Sequence, residues 1–529
     1  MTRRLPRTPA GPDATTPAGA ATRPRRRHGM LRRHMFGCLV IIVATATAIS
    51  VAVINVVSTI AADLALGGKP LDSTYLTAAK AGAAQTILVV GDDHIGPTTT
   101  YSTGAEQDVN QGGTLVHLLH ADTFMLVRMD PSQDQTSILS IPRDMLVKFT
   151  WKGVTYTNQK FNSAYSIGGI DLVKKVVLQY LPGITINHEI DFNFASFLGL
   201  VDAIGCVYVD VDRRYLNDSD PTYQFINIEP GYQRLCGNQA LSYVRYRHTD
   251  SDFVRVARQQ DFIRQAKEQL GVWGFLTKYS QLAKAFGRAV GTDIRGTTDV
   301  TQLLELAAFS LSRPVRDVPF QYSNPAYQIN TPQGPEEAVY ATPQNIQASV
   351  DDFLYEAPKA AVPRSSPGAV HVHHTHHHAA TTTLAREDLY ALSAGIASQA
   401  LALSVDVPFP VDLPSVQTGP ATPNDFHAYT IRDEQNHVRY GYRIDWSAGS
   451  EGEYYGIEGM NWTNPPLFAN PNATTTIDGR TYMFVDDGSA FHDIGWRTKG
   501  VLYWVSNTLN ETLSNAQMLA IAESAQPLR

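Results

Sequence analysis

The sequence predicts an α/β fold: a three-layer α/β/α sandwich with a mixed central sheet, preceded by one transmembrane helix and followed by a smaller α+β domain. Three observations carry this expectation. Between residues 85 and 270, short apolar runs alternate with segments of helical period, the order of a layered α/β domain. Two of the runs, TFMLVRM (123–129) and TSILSI (136–141), are separated only by turn-rich residues. They read as a hairpin, so the sheet is mixed rather than purely parallel. Upstream, residues 36–62 carry no charged side chain, a run longer than the about 20 apolar residues that span a bilayer core.

Each element follows in chain order. Residues 1–34 hold nine arginines against the single acid Asp13 and form a basic, disordered cytoplasmic tail. Positive charge stays inside, so the helix over 35–62 places everything after it outside the plasma membrane, in a single pass. Signal-peptide cleavage near TIAADLA is the alternative. A linker covers 63–84, and the main domain runs over 85–330. It opens with the strand TILVVG, followed by Asp92 and Asp93, and then a Gly/Thr/Gln-rich loop over 97–113. After the hairpin, Ile170, Val173, Val177 and Leu181 mark a helix over 169–181. Helices are expected over 194–204, 238–246 and 254–270, and a strand over 206–211. Residues 331–383 read as a linker containing HVHHTHHH, whose histidines offer loose metal affinity or none. The module over 384–529 opens with a helix, turns β-rich and closes with a helix capped by Ser514.

Charge and cysteine use limit the partners. The net charge of −7 and the confinement of basic excess to the start exclude wholesale nucleic-acid binding. Of three cysteines, Cys38 lies in the span, while Cys206 and Cys236 lie in the exported part. There they are expected to form one disulfide, with two buried thiols as the alternative.

Residues 241–260, LSYVRYRHTDSDFVRVARQQ, are the most informative stretch. Arg245, Arg247, Arg255 and Arg258 surround Asp250 and Asp252. Guanidinium forks match phosphate oxygens two at a time, and a salt-bridged surface helix is the alternative. Arg255 and Gln259 share a helix face. Arg245 and Arg247, two apart, converge only if the helix ends near Arg245. Asp93, beyond the first strand, and Asp122, before the second, are oxygen ligands suited to Mg²⁺, with turn formation as the plainer reading. Arg143 follows a strand in SIPRD, aimed by Pro142.

GDD (91–93), ADTFMLV, SILSIPRDM, KFNSAY, GLVDAIGCVYVDV, GNQALSYVRYR and DFVRVARQQ, in this order, resemble the LytR–CpsA–Psr family. The likeness covers residues 86–270 behind a membrane anchor. It implies an exported α/β phosphotransferase that takes a glycopolymer phosphate from a polyprenyl-pyrophosphate carrier to a peptidoglycan hydroxyl. It implies that Asp93 and Asp122 hold Mg²⁺. It further implies that Arg143, Arg245, Arg247, Arg255 and Gln259 bind the pyrophosphate, the arginines also stabilising charge in the reaction. Asp252 matches an acidic position and either orients arginines or serves as base. Two departures stand out. His120 occupies a position where members carry arginine, giving a shorter phosphate contact, and the loop between Asp93 and Asp122 is longer.

The carrier's tail requires an apolar slot between a helix and the sheet. Phe192, Phe194, Phe197, Leu198, Leu200, Val176 and Val177 are its candidates, with ordinary core as the alternative. Tyr454, Tyr455, Trp462, Trp496 and Trp504 of the last module either stack on sugars or form its core. Two rival functions remain: a polyprenyl-pyrophosphate hydrolase, and a non-enzymatic envelope protein that binds glycan or regulates, favoured by His120.

Overall fold

The computed structural model describes residues 58–59, 62, 70–92, 108–109, 115–116, 120–218, 225–247, 250–294, 296–311, 313, 315–331, 334–355, 389–419, 421–448 and 453–528. The expected membrane span and the histidine run fall almost wholly outside these. Among the described residues, no helix is long and apolar enough to cross a membrane.

β1 (Gln85–Asp92), β2 (Ala121–Asp130) and β3 (Gln135–Ser140) pair as an antiparallel meander, the second and third forming the expected hairpin. A second hairpin, β4 (Leu146–Trp151) with β5 (Val154–Lys160), leads into helix α1 (Ser163–Tyr180). Gly169, at φ 64°, divides α1 at the position where the sequence places the helix start. β6 (His188–Phe192) then returns parallel to β1. After it come α2 (Phe194–Ile204), β7 (Val207–Val211) and β8 (Gly231–Leu235), the last two an antiparallel pair. Next are α3 (Gly237–Arg245), α4 (Asp252–Ala289), β9 (Val290–Thr292), α5 (Thr297–Leu311) and β10 (Val315–Val318). The six-stranded sheet has the order β9-β6-β1-β2-β3-β10, with β1–β6 and β3–β10 parallel and the other pairs antiparallel, so it is mixed.

Strand alternation sends successive residues to opposite faces, and here both faces are covered. Leu88, Leu126 and Leu139 lie opposite one another across three strands and are fully buried. They pack with Leu172, Val173, Val176 and Val177 of α1. The stretch expected as a linker from 331 instead supplies α6 (Pro343–Leu354), whose Ile346, Val350 and Phe353 enter this same core. The first domain therefore extends past residue 330, because three apolar side chains at helical spacing need a partner to bury against. On the other face, Ile87 and Met129 pack with Leu306 of α5. Helix, sheet and helix make the three layers.

The last module is a seven-stranded antiparallel sheet covered on one face by two helices, α7 (Ala394–Leu403) and α8 (Asn515–Ser524). Ser514 caps α8, as expected, by accepting from the Gln517 N–H. The other face packs against the first domain, where Tyr208 and Tyr232 join Met460, Trp462, Phe468 and Trp504 in one core. A buried polar network crosses the same junction. Arg443 donates to Asp210 at 2.7 Å and to Glu458 at 2.6 Å, and Trp504 Nε1 donates to Asp210 at 3.0 Å. Tyr455, Trp462, Trp496 and Trp504 are buried, so they form core and not a sugar platform. Cys206 and Cys236 are disulfide-bonded, with Cα atoms 4.5 Å apart.

Candidate active site

α2 builds the first wall. Asn193 caps it by accepting from the Ser196 N–H at 3.0 Å, and Gly205, at φ 92°, ends it. Between these stops, Phe194, Phe197, Val201 and Ile204 recur at helical spacing and face a cavity of about 340 Å³. Val89, Met125 and Ile190 on one sheet face make the second wall, and Phe192 closes in beside them. α4 makes the third with Arg255, Gln259, Phe262, Ile263 and Ala266, one stripe that changes from polar to apolar along the helix. Gly91 lies at the mouth; a Cβ there would stand 3.1 Å from Thr123 Cβ. The gap between helix and sheet expected from sequence is present. Leu200 lines it, whereas Leu198 does not. Val176 and Val177 are corrected: they are fully buried in the core on the opposite sheet face, because α1 covers that side.

The mouth is polar and lies where sheets of this kind present ligands, beyond carboxyl ends of parallel strands. Asp92 ends β1, and Arg143 follows β3. Arg143 is paired with Asp122, and its Nε lies 3.6 Å from both Asp144 and Asp252. Arg255 is paired with Asp252 and lies 3.6 Å from Asp122. α3 ends at Arg245, so the chain turns before Arg247 and both reach the cluster. Arg245 stacks on Phe194 at 4.1 Å and adds to the positive field on Asp122. Arg247, exposed, lies 4.0 Å from Asp144. Gln259 donates to the Val244 carbonyl at 3.1 Å and accepts from Thr123 Oγ1 at 3.3 Å. His120 is half-buried next to the start of β2.

These contacts divide the acids electrostatically. Burial raises Asp122, but Arg255, Arg143 and Arg245 outweigh it and hold its carboxyl below the usual range. Burial of Asp252 prevails over Arg255 and Arg143, and the neighbouring Asp144 and Asp122 add to it, so its pKa is raised. Asp122 is thus held as an anion, and Asp252 has the greater proton affinity. Asp93 lies outside the described residues. Asp92 lines the cavity mouth, and the Tyr165 hydroxyl stands 3.0 Å from its Oδ2 and 3.0 Å from Asp191 Oδ2. Burial first, then these two carboxylates, push the Tyr165 phenol well up.

The basic run over 241–260 divides in space. Arg258 is fully buried away from the mouth, paired with Asp250, donating to the Tyr246 carbonyl at 2.7 Å and stacked on Tyr215 at 4.4 Å. Arg213 holds the other Asp250 oxygen. Those two members of the run are architectural. Sequence reasoning missed Asp144, Tyr165 and the deeper lining of Phe262, Ile263 and Ala266. The last three had a signal: they continue at helical spacing the stripe that carries Arg255 and Gln259.

The chain matches the LytR_cpsA_psr family over residues 52–337, more than half its length. The polyisoprenyl-teichoic acid–peptidoglycan teichoic acid transferase TagU of Bacillus cereus is 28% identical over 200 residues, 37% of this chain and 60% of the relative. Its namesake from Halalkalibacterium halodurans is 33% identical over 182 residues, 34% of this chain and 57% of the relative. The chain thus spans about 60% of the length of these curated relatives. The crystal structure of B. subtilis TagV is 22% identical, with 53% of this chain and all of that one covered at a TM-score of 0.40.

Proposed function

The chain belongs to the LytR–CpsA–Psr family, and on that premise we propose that it is a membrane-anchored phosphotransferase. It moves a glycopolymer phosphate from a polyprenyl-pyrophosphate carrier to a hydroxyl of peptidoglycan. The names of its curated relatives describe transfer of teichoic acid to peptidoglycan. One observation carries the reading: Arg255 and Arg245 stand at the mouth of an apolar cavity, with Arg143 and Arg247 in the same cluster. An amphiphile with a diphosphate head and a hydrocarbon tail has the matching polarity.

The reaction joins the acceptor oxygen to the sugar-proximal phosphorus. The phosphorus–oxygen bond to polyprenyl phosphate breaks, and its electron pair leaves with that phosphate. Such transfers depend on positioning and on stabilising charge at the phosphate oxygens. Arg143, Arg245, Arg247 and Arg255 supply positive charge, while Gln259 and His120 add hydrogen-bond contacts. Asp122 and Asp252 hold the guanidiniums in place before substrate arrives. Carboxylate oxygens suit Mg²⁺, and Asp122 is kept ionised; with Asp93 it would hold the ion, which would neutralise diphosphate charge. The uncharged run over 36–62 and its basic flank support an anchor with the site outside the plasma membrane.

The test mixes the purified full chain with a polyprenyl-pyrophosphate-linked sugar, Mg²⁺ and peptidoglycan fragments. Sugar phosphate covalently attached to the fragment is the expected product. Free polyprenyl phosphate without attachment would mean hydrolysis, and unchanged donor would mean binding alone.

A further inference from the structure

Asp252 also lines a second cavity, of about 360 Å³, which the donor reading leaves unused. Its walls come from both domains. Phe253 and Tyr322 of the first stack at 4.4 Å, with Tyr322 38% exposed. Glu453, Asn510 and Glu511 come from the last module, the Asn510 amide donating to Glu453 at 3.5 Å. Among the described residues, no lysine or arginine lines it and four acidic side chains do: Asp252 and Glu511, paired with Arg255 and His492, Glu453, and Asp317, which burial pushes up to about 8. A polyanion therefore meets no lining cation that would hold it. A neutral sugar is suited, because its C–H face packs on aromatic rings while its hydroxyls donate to carboxylate and amide oxygens.

We infer that this cavity is the acceptor site, seating a neutral sugar of the wall glycan with its attacking hydroxyl turned to Asp252. The inference rests on the transferase reading and assigns the last module a share in acceptor recognition. Asp252 links the two cavities, since it lines one and pairs with Arg255, which lines the other. The hydroxyl proton passes to the Asp252 carboxylate as the oxygen bonds to phosphorus. The leaving polyprenyl phosphate, or water, takes that proton afterwards.

The test uses the full chain in detergent, a polyprenyl-pyrophosphate-linked disaccharide and a soluble peptidoglycan glycan fragment. Tyr322→Ala and Asn510→Ala each remove one contact outside the diphosphate cluster. Each is expected to raise the acceptor KM roughly three- to tenfold, the worth of one aromatic or polar contact. Donor KM, and donor hydrolysis without acceptor, should stay unchanged. An acceptor KM unchanged in both variants overturns the inference, as does an equal loss for donor and acceptor. Binding of the fragment, followed by saturation-transfer NMR, is read separately. If parent protein turns over no donor yet loses fragment binding in both variants, the cavity stands as a glycan site and the transferase reading falls. If the fragment binds parent and variants equally, the acceptor site falls whatever the turnover.

Discussion

Ala266→Phe tests whether the carrier's tail runs down α4. Arg255, Gln259, Phe262, Ile263 and Ala266 line one wall of the apolar cavity. Eleven residues at 1.5 Å each put Ala266 about 16 Å beyond Arg255 along the helix. An isoprene unit advances about 5 Å, four carbons at about 1.5 Å bonds in zigzag, so a tail anchored at Arg255 reaches Ala266 at about its third unit. Phenylalanine adds six carbons to a wall of the cavity, more than the five of one unit. At about 0.8 kcal/mol per buried methylene-sized group, excluding one unit costs up to about 4 kcal/mol, roughly a thousandfold in affinity. The assay is binding of prenyl pyrophosphates of two, four and more units to parent and variant by isothermal calorimetry. The two-unit ligand should bind both alike, and the longer ones should lose affinity in the variant. Equal weakening at every length would mean general damage, and no weakening would put the tail elsewhere. Either result refutes the reasoning.

Burial and pairing set how three further side chains respond to substitution. Arg247 is exposed, and its ion pair among the described residues is a 4.0 Å contact to Asp144, so Arg247→Ala should leave the thermal midpoint in place. Loss of a charge-assisted phosphate contact should cut kcat/KM by about 10- to 100-fold or more, read in steady-state transfer assays. Arg258→Met does the reverse: it orphans one oxygen of buried Asp250 and should lower stability by about 3–5 kcal/mol in urea unfolding. His492 pairs with Glu511 at 2.8 Å. Burial and Arg264 lower its pKa, but the Glu511 carboxylate outweighs them and the group is pushed up to about 9. A folded pKa above the unfolded value of about 6.5 stabilises below that value and is lost as pH rises through 9. Parent should therefore exceed His492→Gln most at pH 6, and the gap measured by chemical unfolding should shrink by pH 9.

Particular residues show how much was legible in advance. The hairpin of β2 and β3 was readable because two apolar runs met at a turn. α2 was readable because its apolar residues recur between Asn193 and Gly205. The expected end of α4 near Leu270 coincides with Gly271, at φ 52°, which breaks the helical backbone. Phe192, Phe194 and Phe197 were placed on the cavity. Val177 was not, since valine on a helix looks the same whichever sheet face it covers. Arg258 and Arg255, three residues apart in one run, have opposite roles, because one is sealed under tyrosines and the other opens to the cavity. Past residue 330 the chain continues with a hairpin, Asn324–Thr331 with Gly334–Tyr340, and then α6, whose apolar face shows only at helical spacing.

The sequence alone determined the local elements, the polarity of each segment and the basic cluster, because helix and strand periods and charge are properties of neighbouring residues. Only the tertiary structure decided which sheet face holds the cavity, which arginines reach its mouth, and that the last module packs against the first domain through Arg443 and Asp210. Those outcomes depend on distant segments excluding water together, and no stretch of chain encodes its partner's surface.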